Sequence, residues 1–130
     1  MAVFEPWDVV KVPFPYTDRP VRQRRPALVI AAKGSDPAPA LLWLLMITSA
    51  AHRGWPGDVA ISDLGIAGLP APSIVRPAKI ATIEARDAER LGRLPPADRV
   101  AVATYLRRAL EAALRSLVER ERTTPPVQDP

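Results

Sequence analysis

Two uninterrupted apolar runs separated by a short turn constrain the fold of this chain more than any other feature. The runs cover Pro26 to Ala32 and Leu41 to Ile47, and the segment Lys33-Gly34-Ser35-Asp36-Pro37 between them is dense in turn-forming residues. Both runs have the length of a strand and fall short of the ~20 apolar residues that a membrane-spanning helix needs. The sequence therefore predicts two buried strands and no membrane association.

Shorter segments on either side carry further strand signals. Asp8 to Phe14 alternates in polarity as a half-buried strand does, and Asp58 to Ser62 and Ser73 to Ile83 are short strand candidates. Leu64 to Pro72, between those two candidates, is rich in glycine and proline. Pro15 to Arg25 carries proline, aspartate and charge without periodicity, which predicts a cationic loop.

From about Pro96 the apolar period changes to that of a helix. The sequence predicts an amphipathic helix from Pro96 to Arg122, with charged pairs such as Arg107 and Glu111 on its solvated side. We assign its apolar stripe to core packing and to dimer packing; the stripe consists of Ala103, Leu106, Leu110, Ala113, Leu114 and Leu117. Residues 123–130 contain two prolines in succession and are predicted to be a disordered tail.

Strands followed by one terminal helix predict a mainly β fold, either a small twisted sheet or a partial barrel, with the helix packed beside it. A chain of 130 residues fits a single domain, which we place at residues 1–122. The absence of cysteine excludes disulfides and cysteine-ligated zinc, and the first ten residues lack the layout of a signal peptide. The simplest expectation is a cytoplasmic protein without a metal or other cofactor.

Positive charge is concentrated in one short segment. The net charge is +4 and the sequence pI about 10.1, which is compatible with a polyanionic partner. Nine arginines between Arg86 and Arg122 are interleaved with six acidic residues, whereas the earlier cluster contains no acid. That cluster is the better candidate for a binding surface; it consists of Arg19, Arg22, Arg24 and Arg25.

Several motifs, in order and spacing, resemble those of the MazF/PemK family of toxins. The resemblance covers roughly residues 7 to 115, and its most specific part is the opening Asp-Val-Val-Lys-Val-Pro-Phe-Pro-Tyr-Thr-Asp of residues 8–18. The other matching strings are Arg24-Arg25-Pro26-Ala27-Leu28-Val29-Ile30, Ile47-Thr48-Ser49, Pro72-Ser73-Ile74-Val75-Arg76, Thr82-Ile83-Glu84 and Leu91-Gly92-Arg93-Leu94.

The resemblance implies an SH3-like barrel of short antiparallel strands with a long C-terminal helix, usually assembled as a homodimer. It also implies the toxin of a type II toxin–antitoxin system, an endoribonuclease that cleaves single-stranded RNA at a short recognition sequence without metal. Such toxins leave a cyclic phosphate and a 5'-hydroxyl, and a cognate antitoxin neutralises them.

Arg25 and Thr48 are the expected catalytic residues. Metal-independent RNA cleavage uses the ribose 2'-hydroxyl as nucleophile, so the protein must assist proton transfer and stabilise charge growing on the phosphoryl oxygens. A guanidinium suits the second task and is a poor general base at neutral pH. The resemblance places Thr48 opposite Arg25, where its hydroxyl would bond the scissile phosphate with help from Ser49. Without the resemblance, Arg25 would be interpreted as an ordinary loop arginine and Thr48 as an ordinary strand-end threonine.

The resemblance also suggests RNA contacts by basic residues, among them Arg24, Arg76 and Lys79. Arg76 is similar to a basic residue that contacts RNA phosphate in part of the family. The chain departs from the family pattern two positions later, where an acidic residue is often found and Ala78 stands, followed by Lys79. The protein would then cleave slowly, choose a different recognition sequence, or rely on Glu84 or Asp18 instead, and the general base is left unassigned.

His52 is the only histidine, and its side chain is the only one whose unperturbed pKa lies near neutrality. A lone histidine in a polar loop is more often a surface residue than a catalyst, so we predict that this loop contacts RNA or the antitoxin. Arg53 would bind a phosphate and Trp55 would stack on a base, although Trp55 would equally suit the core.

Two other functions stay open at this point. The substitution at Ala78 would also fit a family member that binds RNA or antitoxin without cutting. A gyrase poison like CcdB shares the barrel fold, but the C-terminal residues 125–130 lack the tryptophan-containing tail by which such toxins resemble one another.

Overall fold

The computed structural model describes residues 3–14, 23–34, 40–52 and 54–123. Its strands are β1 Asp8–Phe14, β2 Gln23–Lys33, β3 Leu41–Ser49, β4 Val59–Ala60, β5 Ser73–Glu84 and β6 Glu89–Arg93. Its α-helices are α1 Leu64–Ala67 and α2 Pro96–Thr123, and short 3-10 turns cover Ala50–His52 and Ala85–Asp87.

The six described strands form one antiparallel sheet in the order β4-β5-β3-β2-β1-β6. Register shifts leave extra residues on β6, β2 and β5, and such bulges bend strands and increase their twist. The sheet curls into a half-barrel with α2 packed beside it, which confirms the fold class predicted from the sequence.

Both faces of the central strands are buried. Val9, Leu28 and Leu45 belong to one apolar cluster, and their chain neighbours Val10, Ala27 and Leu44 belong to another on the opposite face. The first cluster includes Val102 of α2, and the second includes Phe4 near the N-terminus. Because each face has its own cover, β2 and β3 are apolar at successive positions, and the prediction of two buried strands is confirmed.

The structure corrects the sequence prediction at the start of β2. Residues 23–25 were predicted to be part of a loop, but they continue the strand because they pair with β1, Gln23 opposite Phe14 and Arg25 opposite Val12. The predicted strand at Asp58 to Ser62 is reduced to the two residues of β4. One helical turn, α1, lies in the glycine- and proline-rich stretch, with the Asp63 side chain accepting a hydrogen bond from the Ile66 backbone N–H.

Strand β6 was not predicted, because a buried carboxylate rather than an apolar pattern holds it in place. Asp8 at the start of β1 is almost fully buried, and its carboxylate accepts hydrogen bonds from Arg90 Nη2 at 2.8 Å and Arg93 Nη1 at 3.0 Å. Both arginines lie on β6, which pairs antiparallel with β1. This ion-pair cluster closes the end of the sheet opposite β4.

Helix α2 ends one residue from its predicted boundary, but its stripe packs differently. Val102 is buried and Leu106 packs partly against the core, while Leu110, Leu114 and Leu117 are 48%, 61% and 66% exposed. Ala103 and Ala113 are exposed as well. The predicted core packing of the stripe is therefore wrong beyond Leu106, because Leu110, Leu114 and Leu117 are exposed and belong to neither core cluster of the described residues.

Candidate functional site

A pocket of about 380 Å³ opens where β2 and β3 part. Their pairing extends to Ala27 and Met46, and Arg25 and Thr48 each lie two residues further along, so both are on the same face of the sheet as that pair. The pocket is lined by Lys11, Gln23, Arg24, Arg25, Pro26, Ile47, Thr48, Ser49, Gly68, Leu69, Pro70, Ala71, Pro72, Ser73 and Leu91. The structure thus brings the two predicted catalytic residues into one pocket.

The charge of the pocket is one-sided. Lys11, Arg24 and Arg25 are among the described residues that line it, and none of those lining residues is acidic. Arg24 Nη2 donates to the Lys11 carbonyl at 3.3 Å and lies 3.6 Å from the carboxylate of Glu89, in a pair exposed to solvent. An exposed pair of this kind is weak, so the pocket retains an excess of positive charge that suits an anion such as a phosphodiester.

The polar side chains of the pocket already have local partners. Arg25 Nη2 donates to Gln23 Oε1 at 3.1 Å, and Thr48 Oγ1 lies 3.5 Å from His52 Nδ1. Ser49 Oγ accepts a hydrogen bond from the Ala51 backbone N–H at 3.2 Å, which supports the 3-10 turn leading to His52. Ser49 therefore shapes the segment that carries His52 as well as lining the pocket.

Residues 68–73 form the wall facing Arg25 and Thr48. Gly68 ends α1 in the left-handed region at φ 73°, and a Cβ there would lie 2.1 Å from the Leu91 carbonyl oxygen, so only glycine fits. Further along, the Ala50 N–H donates to the Pro72 carbonyl at 3.0 Å. The wall is tied to β6 on one side and to the end of β3 on the other.

Behind the pocket, Arg76 of β5 forms an ion pair with Asp58. Arg76 Nε donates to Asp58 Oδ1 at 3.1 Å and Nη2 to Oδ2 at 3.0 Å, and the two side chains are 9% and 8% exposed. Arg76 Nη2 also donates to the His52 carbonyl at 2.7 Å, and its guanidinium lies 4.3 Å from the centre of the Trp55 ring. Asp58 Oδ2 accepts from the N–H groups of Gly54 and Trp55. The pair therefore holds residues 50–52 and 54–58, which lie between β3 and β4, against β5.

The ionisation of this pair follows from its hydrogen bonds. The Arg76 guanidinium lowers the pKa of Asp58, against the opposing effect of burial, and the two backbone N–H donors lower it further. The same contact raises the pKa of Arg76. Both groups are charged across the working pH range.

These contacts revise the role of Arg76. Direct phosphate binding, predicted from the sequence, does not fit a buried guanidinium whose Nε and Nη2 donate to Asp58 and His52. Lys79 is exposed in a bulge of β5 formed by residues 77–79 and does not line the pocket, so its RNA contact stays a prediction. Arg53 lies outside the described residues.

Glu84 and Asp18 are the two carboxylates considered as substitutes for an acidic residue at position 78. Glu84 pairs with Leu41, at the opposite end of β3 from Thr48, which is about 23 Å away at ~3.3 Å per residue. It forms an ion pair with Arg86 and is not a candidate for the site. Asp18 lies outside the described residues. No cluster of three or more His, Asp or Glu side chains suited to a metal ion occurs among the described residues.

Sequence reasoning missed three contributors to the site. Lys11 carried a signal, since it is the one charged residue among residues 9–14 of β1. Asp58 carried none, because nothing in the sequence connects it with Arg76, 18 positions away. From the sequence, the wall at residues 68–73 could be interpreted only as a turn. No helix in the described ranges is long and apolar enough to cross a membrane.

A family model described as PemK-like, MazF-like toxin of type II toxin–antitoxin system matches residues 5–110. The chain therefore belongs to the PemK/MazF family of toxins. A comparison with curated proteins finds no significant match.

Among solved structures, a mycobacterial endoribonuclease in complex with its cognate antitoxin is 21% identical with a TM-score of 0.63, covering 84% of this chain and 96% of that one. MazF from a MazE–MazF structure of Deinococcus radiodurans is 20% identical with a TM-score of 0.63, covering 85% and 98%. The Mycobacterium tuberculosis toxin MazF-mt6 is 22% identical with a TM-score of 0.58, covering 82% and 97%. At these identities the likeness establishes the shared fold.

Proposed function

We propose that this protein is a toxin endoribonuclease that cleaves single-stranded RNA in the cytoplasm without metal. The observation that carries the proposal is the cationic pocket that Arg25 and Thr48 line together with residues 68–73, within a chain that matches the toxin family over residues 5–110. A phosphodiester is the anionic group that the RNA backbone presents at regular spacing, and Lys11 and Arg24 extend the positive surface on which it would lie.

In this proposal Arg25 stabilises the charge that develops on the nonbridging oxygens as the 2'-hydroxyl attacks phosphorus. A guanidinium is always charged and contacts two oxygens at once, so its interaction strengthens as charge moves onto them. Thr48 donates a hydrogen bond to the same phosphate from the opposite strand. The products are a 2',3'-cyclic phosphate and a 5'-hydroxyl.

We further propose that the toxin is a homodimer neutralised by a cognate antitoxin. Two of the solved structures with this fold are described as complexes with an antitoxin or with MazE. The exposed leucines in the second half of α2 are an apolar surface that the chain's own core leaves uncovered, which supports self-association.

The direct test is incubation of purified protein with a long single-stranded RNA in the presence of EDTA. We expect endonucleolytic products with 5'-hydroxyl ends, and no cutting where the nucleotide 5' to the cleaved bond is 2'-deoxy. Arg25→Ala should lower the rate at least 100-fold, the typical loss when one donor to a developing oxyanion is removed. Thr48→Ala should lower the rate, and Thr48→Ser, which keeps the hydroxyl, should retain most of it.

Arg108→Ala, on the exposed side of α2, is the matched control and should cleave at the wild-type rate. An inactive wild type that binds RNA with a steep salt dependence would identify a binding-only family member instead. Inhibition of gyrase supercoiling with RNA left intact would identify a gyrase poison. Full activity in Arg25→Ala and Thr48→Ala would rule out this site.

A further inference from the structure

The structure brings the single histidine to the edge of the candidate active site. His52 lies in the 3-10 turn that follows β3, with its Nδ1 atom 3.5 Å from Thr48 Oγ1. This distance is at the long end of the hydrogen-bond range, and catalytic hydrogen bonds in proteins without substrate are often long. The imidazole is exposed, so it is accessible to a bound RNA strand.

The backbone that carries His52 is fixed by buried groups. Arg76 Nη2 donates to the His52 carbonyl at 2.7 Å, and Asp58 holds the same segment through the N–H groups of Gly54 and Trp55. At Gly57, a Cβ atom would lie 2.3 Å from the Tyr105 ring of α2, so the segment packs directly on the helix. The turn that carries His52 is therefore fixed by an ion pair whose side chains are only 8–9% exposed.

We propose that His52 is the proton acceptor of the active site and that Asp58 and Arg76 are positioning residues that hold it beside Thr48. The inference rests on the proposed ribonuclease function and supplies the general base that Arg25 and Thr48 do not provide. A neutral imidazole that donates Nδ1–H to Thr48 Oγ1 has its lone pair at Nε2 available to accept a proton. The Thr48 hydroxyl keeps its own hydrogen to donate to the phosphate.

The step balances with the groups that are present. The ribose 2'-hydroxyl transfers its proton to His52 Nε2 while its oxygen bonds to phosphorus, and Arg25 stabilises the negative charge on the nonbridging oxygens. The bond from phosphorus to the 5'-oxygen breaks, and that oxygen takes a proton from water. The imidazolium then returns its proton to solvent, which regenerates the starting site.

Charged groups surround this histidine on two sides. The Asp58–Arg76 pair lies behind the turn, and Lys11, Arg24 and Arg25 line the pocket of Thr48, the residue whose Oγ1 lies 3.5 Å from His52 Nδ1. Protonation of His52 would add one more cation to this surface and would remove the acceptor. The rate of cleavage should therefore fall as the pH is lowered.

The kinetic test compares wild type, His52→Ala and His52→Gln with Glu111→Ala on the exposed side of α2 as control. We expect His52→Ala and His52→Gln to lower kcat by about 100-fold or more, as loss of a general base does, with KM changed little. The acidic limb of the pH–rate profile should be absent from both variants. Wild-type kcat and pH profile in His52→Ala, with RNA still cut, would overturn the inference and leave the ribonuclease function standing. A folded wild type that cuts no RNA would overturn both.

Because the chain has one histidine, its imidazole gives a single resolvable NMR titration once any affinity tag is removed. We expect the pKa measured for His52 to coincide with the kinetic pKa of the acidic limb, and Thr48→Val, which lacks the hydroxyl, to shift it. A kinetic pKa that differs from the NMR value by more than one unit would assign the limb to another group and overturn the inference.

The positioning role is tested with Arg76→Lys, which keeps the positive charge but lacks the planar fork that reaches Asp58 and the His52 carbonyl together. In protein that is folded by circular dichroism, we expect kcat to fall more than 10-fold and the His52 NMR pKa to move. A purely structural role would lower stability and leave the pH profile of the folded variant unchanged, and that result would overturn this part. If Arg76→Lys does not fold, Asp58→Asn is measured in the same way, with the same two outcomes.

Discussion

At the scale of residues, the Asp58–Arg76 pair is the feature with the largest expected energetic effect. Each of its side chains is more than nine-tenths buried, and the hydrogen bonds to His52, Gly54 and Trp55 satisfy much of the remaining polar surface. Removing one member of a buried pair leaves the other charge in a poorly solvated environment. The pair should therefore be sensitive to single substitutions.

We expect Asp58→Ala to lower the free energy of unfolding by about 3 kcal/mol, measured by urea denaturation at neutral pH. The matched control is Glu111→Ala, which removes the exposed pair with Arg107 on α2 and should change stability by less than about 0.5 kcal/mol. Equal effects of the two substitutions would contradict the assignment of Asp58–Arg76 as a structural pair.

The same pair sets a pH dependence of stability. Because Arg76 lowers the pKa of Asp58 in the folded protein, the unfolded chain takes up the proton first as the pH falls. The contribution is fully present above the unfolded carboxyl pKa of about 3.9 and is lost as the pH falls through the folded value. The difference in stability between wild type and Asp58→Ala should accordingly shrink below about pH 4.

Sequence alone could predict Arg25 and Thr48 as site candidates, because both lie in motifs that resemble a known family, and the structure places both in one pocket. It could not identify the contact of Arg76 with Asp58, nor that of Thr48 with His52, since neither follows from a period or a motif. For that reason, the sequence predicted His52 to be a surface residue. Its position depends on a turn whose geometry is set by Ser49 and by Arg76.

At the scale of elements, the strands that the sequence predicts best are those whose own side chains decide their burial. β2 and β3 are apolar at nearly every position, and both were predicted. β6 and β4 have little apolar signal. They form because the edges of β1 and β5 offer backbone groups with which they can pair. Likewise, the apolar stripe of α2 correctly predicted a helix. It could not show that packing against the core ends at Leu106.

The exposed half of α2 leads to a prediction about assembly. Leu110, Leu114 and Leu117 repeat at helical spacing and have no cover in the described chain, so a second copy is the occupant expected for a toxin of this family. We expect Leu114→Glu and Leu117→Glu to raise the dimer dissociation constant at least 10-fold in analytical ultracentrifugation.

The control for assembly is Arg108→Glu, which places the same charge at an exposed position outside the stripe. It should leave the dissociation constant within about twofold. A monomeric wild type, or dimerisation unaffected by both leucine substitutions, would show that this face has no role in self-association.

At the scale of the whole molecule, the net charge of +4 understates the field at the pocket. Arginines in the C-terminal half have acidic neighbours, as in the Arg86–Glu84 and Arg107–Glu111 pairs. Among the described residues that line the pocket, every charged side chain is positive. RNA should therefore bind with a salt dependence set by local contacts.

We expect the logarithm of RNA affinity to fall linearly with the logarithm of salt concentration, with a slope of about −0.7 per neutralised phosphate for a single strand. Lys11→Ala should weaken binding of every RNA sequence alike and make the slope shallower by about 0.7. Fluorescence anisotropy with a noncleavable 2'-deoxy RNA measures both quantities. An unchanged slope would exclude Lys11 from phosphate contact.

The pocket lies at the ends of β2 and β3, outside the part of these strands that is buried on both faces. This separation has a consequence for how such toxins diversify. Substitutions within β2 and β3 would disturb two apolar clusters at once, whereas residues 70–72 and the rim at Gln23 and Ser49 are exposed and belong to neither cluster. Mutations can therefore accumulate at the rim with little loss of stability. Sister toxins could in this way acquire different cleavage sequences on one inherited scaffold, while Arg25 and Thr48 stay in place.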